Sequence, residues 1–312
     1  MLIARAPTRL DFGGGWTDVP PYPEERGGFV CNLAIARYAT VTLAPLDPGG
    51  FETTPLAAAA LRRAGLSGTT ARIASDFPVG SGLGGSSAAG VAMAAALAAY
   101  RGEPTTPASL AEWSRAVEVE ELGIAGGRQD HYAAAFGGAL GLTFGEATSV
   151  EPIALSSDTA IALERRCILA YTGESRISAA TITAVLEGYG ARETRVVRAL
   201  ERMKALALRM PDTLMRGDID ALAALVDEHW AHQRTLHPGI STPRIDALER
   251  AARSVGARGI KALGASGGGC VIVFADDGDV EAMQRAVEPF ATVMEWKVAP
   301  RGVFVEDGRP EA

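Results

Sequence analysis

Hydrophobic positions mark short strands at 2–5, 9–12, 29–35 and 38–43, and the last of them shows the β-branched alternation, with a period of two, expected of a half-buried strand. A polar, small-residue stretch at 47–55 gives way to a helical segment at 56–64 and a strand at 70–75. Residues 86–100 read as a long helix with Val91, Leu97 and Tyr100 among its packing positions and Gly102 as its stop. A second helix is expected over 107–122, ending at Gly123, and two apolar strands around a polar turn at 139–155 close the first half.

The second half begins with a strand at 166–172 and continues with helices near 178–188, 193–210, 218–233 and 243–255. A strand, a glycine loop, a strand at 271–274, a helix at 280–287 and a strand at 292–298 complete an α+β layer. No repeat of fixed period is visible. The expected division is therefore into two α+β domains, 1–160 and 161–312, as suits a chain of 312 residues.

With 47% hydrophobic and 21% charged residues, the chain is expected to be globular rather than disordered. A net charge of −7 leaves no electrostatic footprint for nucleic acid or an anionic membrane, which points to a small-molecule partner. Cys31, Cys167 and Cys270 are scattered without metal-ligand spacing, so neither a disulfide framework nor a thiolate site is expected, and a reducing cytoplasm fits. Arg5, Pro7, Arg9 and Asp11 interrupt any signal-peptide pattern, and no run of eighteen apolar residues occurs; a soluble, unprocessed protein is expected.

Three segments are dense in glycine and polar residues at once. The first runs from Ala6 to Asp18 and presents Arg9, Trp16, Thr17 and Asp18. The second reads Pro78-Val-Gly-Ser-Gly-Leu-Gly-Gly-Ser-Ser-Ala-Ala89 and leads into the long helix. Glycines let backbone N–H groups close around an oxyanion, and the helix start adds about half a positive charge, so this loop reads as a phosphate cradle built from Gly80, Ser81, Gly82, Leu83, Gly84, Gly85, Ser86 and Ser87. The dinucleotide-binding alternative fails because Pro78 interrupts the approach and the region near Thr105 offers no carboxylate at the required place. A Walker-type loop fails because no lysine follows the glycines. The third segment, Leu263-Gly-Ala-Ser-Gly-Gly-Gly-Cys270, lies between expected strands, where its glycines permit close backbone approach.

These three segments, in this order, resemble the three motifs of the GHMP small-molecule kinases, and the resemblance spans nearly the whole chain. Further segments, Gly126-Gly-Arg-Gln-Asp-His-Tyr132 and Thr172-Gly-Glu-Ser-Arg176 among them, are similar to the branch that phosphorylates the anomeric hydroxyl of heptose 7-phosphate or L-fucose. The resemblance implies a two-domain α+β fold. Its N-terminal domain would have mixed sheet and helices, its C-terminal domain would be ferredoxin-like, and the active site would lie in the cleft between them. It also implies ATP and Mg²⁺, a sugar or sugar-phosphate acceptor, and a monomer or homodimer.

By the same resemblance, Asp130 lies against the reacting sugar hydroxyl and Arg9 is its partner cation; the plain alternative for Arg9 is a structural ion pair with Asp11 or a nearby carboxylate. Ser86 and a carboxylate, Glu118 or else Glu120, would hold the ion; the plain alternative for Glu118 is a solvated helix face. Asp18, Thr17 and Trp16 would contact the sugar, with a turn role as the alternative for Asp18, and Gly127, Gly267 and Gly268 would shape its pocket. A second phosphate on the acceptor would need a cation, for which Arg128, Arg176 and Arg234 are candidates; without one the acceptor is a neutral sugar. His229, His232 and His237 lack the carboxylate or cysteine of a zinc motif. The motifs point to an enzyme, with a non-catalytic sugar sensor on the same scaffold as the alternative.

Overall fold

The computed structural model describes residues 1–46, 53–174 and 179–307. Its four N-terminal strand signals fuse into two long strands, β1 (Leu2–Gly13) and β2 (Gly28–Pro45), with α1 (Tyr22–Arg26) between them. They pair antiparallel from Leu2 opposite Leu43 to Gly13 opposite Cys31. The register shifts between Pro7 and Thr8, where proline has no N–H to give the ladder, and again before Gly13. The first half continues with α2 (Pro55–Arg63), β3 (Thr69–Ser75), α3 (Gly85–Arg101), α4 (Pro107–Ala116), α5 (Gln129–Phe136), β4 (Ala139–Phe144) and β5 (Thr148–Ile153).

The second half holds α6 (Ser157–Arg166), β6 (Cys167–Tyr171), α7 (Ala179–Gly190), α8 (Thr194–Ala207), α9 (Met210–Arg216) and α10 (Ile219–Gln233). There follow α11 (Pro243–Ser254), β7 (Gly259–Ala262), β8 (Cys270–Phe274), α12 (Val280–Val287), β9 (Thr292–Met294) and β10 (Phe304–Asp307). The first sheet runs β10-β1-β2-β4-β5 with β3 also on β2; the second runs β7-β8-β6-β9. Among the described residues the pairings within both sheets are antiparallel.

Several elements differ from the sequence expectation. Helices α1, α5 and α6 and strand β10 carry weak signals and were not expected. The helix expected over 107–122 stops at Ala116, the one over 193–210 divides into α8 and α9, and the strand over 292–298 shrinks to β9, with Val298 bridging Ile35. Although β10 falls in the expected second domain, it pairs with β1, so the first sheet takes its outer strand from the far end of the chain.

Helix α3 explains its own composition. Residues 87–98 are all buried, because the helix packs against β1 and β2 on one side and α4 and α5 on the other, and alanine and glycine let these elements come close. Tyr100, expected in the core, is 54% exposed because the helix runs past its last packing partner there. The second sheet is covered on both faces, which is why β8 reads Cys-Val-Ile-Val-Phe without polar alternation. Leu169, Ile272 and Phe274 join the core of the first half, while Ile168, Val271 and Val273 face α8, α11 and α12. No helix among the described residues is long and apolar enough to cross a membrane.

Candidate active site

A cavity of about 720 Å³ opens where the three glycine-rich segments meet, lined from the first by Arg9, Asp11, Gly15, Trp16 and Asp18. The cradle loop and the third segment touch backbone to backbone. Cys270 N–H donates to the Ser81 carbonyl at 2.7 Å, and a Cβ on Gly82 would lie 2.8 Å from the Leu263 carbonyl oxygen. The loop is tied to β1 as well, since the Arg9 N–H donates to the Leu83 carbonyl at 3.0 Å. Glycine at these positions is thus a condition for the cradle to sit between the two halves.

Arg9 reaches across the cavity floor. Its Nε donates to Asp130 Oδ1 at 2.9 Å, its Nη2 lies 2.7 Å from the same oxygen, and its Nη1 donates to the Gly82 carbonyl at 2.5 Å. Arg9 is nearly fully buried, whereas the Asp130 side chain keeps a quarter of its surface open to the cavity. Asp130 is in the first turn of α5 and touches the start of α3: a Cβ on Gly84, itself left-handed at φ +77°, would lie 3.0 Å from the Asp130 carboxyl carbon. The carboxylate therefore stands directly beside the phosphate cradle. The alternative pairing of Arg9 with Asp11 is not what forms; Asp11 takes the buried Lys261, whose Nζ donates to its carbonyl at 2.8 Å and to Oδ2 at 3.0 Å. Burial pushes Asp11 up, but Lys261 and Arg9 outweigh it and hold the carboxyl below its usual range.

Asp18 is buried against α5, where Oδ2 accepts from Gln129 N–H at 3.0 Å. Burial raises it to about 6, and the neighbouring charges of Asp130 and Asp11 push the same way. Gly127 makes room for it, since a Cβ there would fall 1.9 Å from Asp18 Oδ2. Trp16 lines the cavity with a left-handed backbone, φ 77°, and a buried indole nitrogen with no partner among the described residues.

Helix α4 runs into a wider turn over 117–121, in which Leu122 N–H donates five residues back to the Val117 carbonyl at 3.2 Å. This turn aims Glu118 at the start of α3. Its Oε1 accepts from Ser86 Oγ at 3.1 Å, its Oε2 accepts from Ser87 Oγ at 3.4 Å and lies 2.9 Å from His131 Nε2. Burial pushes Glu118 up, but His131 and the two hydroxyls outweigh it and leave the carboxyl below its usual range. Glu120 points elsewhere, to Arg63 at 2.8 Å. An ionised carboxylate and a hydroxyl side by side on the cavity wall are the hard oxygen donors that suit Mg²⁺ beside a triphosphate.

Some expected residues are not brought to the cavity. Thr17 is fully buried and spends its hydroxyl on backbone, donating to the Gly14 carbonyl at 2.7 Å and accepting from Phe29 N–H at 3.2 Å. Arg128 turns toward Glu112 at 3.7 Å and Glu24 at 4.0 Å. Arg234 is held by Glu249, Asp246 and Ser241 over the Trp230 ring. Gly267 lies behind the wall, donating to the Ile240 carbonyl at 2.9 Å, while Gly268 lines the cavity. Arg176 lies outside the described residues. Asp11, Lys261, Gln129 and His131 were missed; a lysine between Ile260 and Ala262 in an apolar strand was the one available signal. The far end of the cavity is apolar, with Ala39, Leu56, Ile73 and Phe77, and exposes Val79 and Ile124 at its mouth.

Comparison with known proteins identifies similar chains. Residues 53–138 match the model of the GHMP kinases N terminal domain and residues 203–291 that of the GHMP kinases C terminal. D-glycero-alpha-D-manno-heptose 7-phosphate kinase of Campylobacter jejuni is 28% identical over 88% of this chain and 89% of its own length. The L-fucokinase/L-fucose-1-P guanylyltransferase of Bacteroides fragilis is 25% identical over 98% of this chain, which spans 37% of that longer protein. The crystal structure of a D-glycero-D-manno-heptose 1-phosphate kinase from Bacteroides thetaiotaomicron superposes with a TM-score of 0.80 at 23% identity, covering 99% of this chain and 100% of that one.

Proposed function

The chain belongs to the GHMP kinases, and on that premise we propose that it transfers the γ-phosphoryl group of ATP to the anomeric hydroxyl of D-glycero-D-manno-heptose 7-phosphate. The observation that carries the reading is the meeting of Asp130, Arg9 and the start of α3 at one point of the cavity. The adenine lies in the apolar end, and the triphosphate runs along Gly80 to Ser87 onto the helix start.

The sugar lies between Asp18, Trp16, Gly127 and Asp130, with Gly268 across from it. Asp130 orients the hydroxyl and takes its proton as the oxygen bonds to the γ-phosphorus, while the bond to the β,γ-bridging oxygen breaks and ADP leaves. Arg9 holds the Asp130 carboxylate in place before the step and offsets charge on the phosphoryl oxygens during it. Glu118 and Ser86 would hold Mg²⁺, which when bound offsets the negative charge of the β- and γ-phosphates.

A second reading, a neutral acceptor such as L-fucose, draws on the capture of Arg128 and Arg234 by carboxylates outside the cavity. Measuring ADP release with heptose 7-phosphate, L-fucose and D-galactose tests both. Turnover on the heptose phosphate at least tenfold above the free sugars supports the first reading, preference for a free sugar supports the second, and no turnover with any of them overturns both.

A further inference from the structure

We propose that His131 is a positioning residue that fixes the Glu118 carboxylate for metal binding through a buried relay anchored on Ser114 and Gly90. The inference rests on the reading of Glu118 as the metal-holding carboxylate. His131 follows Asp130 in α5 but faces away from the cavity and is 1% exposed. Its Nε2 lies 2.9 Å from Glu118 Oε2, and its Nδ1 faces Ser114 Oγ at 2.9 Å. Both ring nitrogens are thus held, which sets the orientation of the imidazole and through it that of the carboxylate.

The relay continues into the helix packing. Gly90 lies within α3, where glycine is a poorer helix former than alanine. A Cβ at this position would fall 2.3 Å from Ser114 Oγ. The glycine therefore admits the hydroxyl that anchors the imidazole. With Ser86 on Oε1 and His131 on Oε2, each carboxylate oxygen has a fixed partner and keeps lone-pair capacity for a cation. Partners of metal-ligating groups commonly change metal affinity by 10–100-fold. The same short helix carries Asp130 on its cavity side, so α5 sets the proton acceptor and the metal-binding carboxylate in one register.

The test is calorimetric binding of β,γ-methylene-ATP to the intact protein with and without Mg²⁺, the ratio of the two dissociation constants reporting the metal's contribution. His131→Asn removes the donor to Glu118 and is expected to cut that ratio about tenfold with the metal-free constant unchanged, whereas His131→Gln, whose amide reaches the Nε2 position, restores it to within about threefold. A merely structural histidine would lower Tm in both variants and leave the ratio alone, which would overturn the proposal. Glu118→Gln separates the two layers: an unchanged ratio there defeats the metal reading itself, while a reduced one beside an unchanged His131→Asn defeats only the relay. If His131→Asn does not fold, Ser114→Ala is measured in the same way, with a loss of about threefold supporting the relay and an unchanged ratio overturning it.

Discussion

Arg9 and Asp130 stand 121 positions apart in sequence, yet two guanidinium nitrogens converge on one carboxylate oxygen at 2.9 and 2.7 Å. Both contacts go to Oδ1, so Oδ2 keeps its lone pairs for a hydroxyl proton, and the arginine holds the carboxylate's direction without consuming its basic edge.

Asp130→Asn keeps the shape and removes the base. Steady-state kinetics should show kcat reduced about 10²–10⁴-fold. The calorimetric constant for ATP should change less than about threefold, because transfer rather than nucleotide binding uses this group. A variant with wild-type turnover would show that another group takes the proton.

Gly127→Ala places a methyl in the space of the Asp18 carboxylate, 1.9 Å from Oδ2 in the present geometry. Asp18 must shift, so the acceptor KM should rise at least about tenfold with little effect on the KM for ATP. Equal losses for both substrates would mean the loop, rather than Asp18, had been disturbed.

Acidity at Asp18 has a definite sign. Its folded-state pKa, about 6, lies above the unfolded 3.8, so its contribution to stability is fully present below pH 3.8 and is lost as pH rises through 6. Between pH 4 and 7, denaturant titrations of Asp18→Asn should gain on wild type by about 3 kcal/mol. The same titration should appear in the wild-type profile of kcat/KM for the sugar as a rise near pH 6, absent from the asparagine variant.

His229 works in the opposite direction. Its Nε2 accepts from Gly14 N–H at 2.8 Å, and burial, with Lys261 nearby, lowers it from 6.5 to about 3. Stability from the neutral imidazole is present above pH 6.5 and lost as pH falls toward 3. His229→Gln retains an acceptor without titrating, so its acid-unfolding midpoint by circular dichroism should lie below that of wild type.

The cradle could be read from the residues themselves, as glycines against a helix start, whereas Arg9, Asp130, Ser86 and Glu118 are singled out through the resemblance to the GHMP kinases, and the fold brings them to one cavity wall. What could not be read was direction. Thr17, Arg128 and Arg234 are the right residue types in promising segments, but backbone groups or nearby carboxylates claim them first. Such competition is settled only when strands and helices from distant parts of the chain pack together. The turn that aims Glu118 rather than Glu120 was equally hidden, since the sequence Val-Glu-Val-Glu-Glu is compatible with an ordinary helix. Strand β10 escaped notice because four residues give too short a pattern.

That last strand has a consequence for how the protein is made. Arg5 to Leu2 wait for partners that emerge from the ribosome some three hundred residues later, opposite Phe304 to Asp307. Until then, the outer rim of the first sheet carries bare amide and carbonyl groups, ready to stick to any other nascent chain. A fragment cut at the midpoint should therefore clump, and supplying the missing tail in trans should cure it.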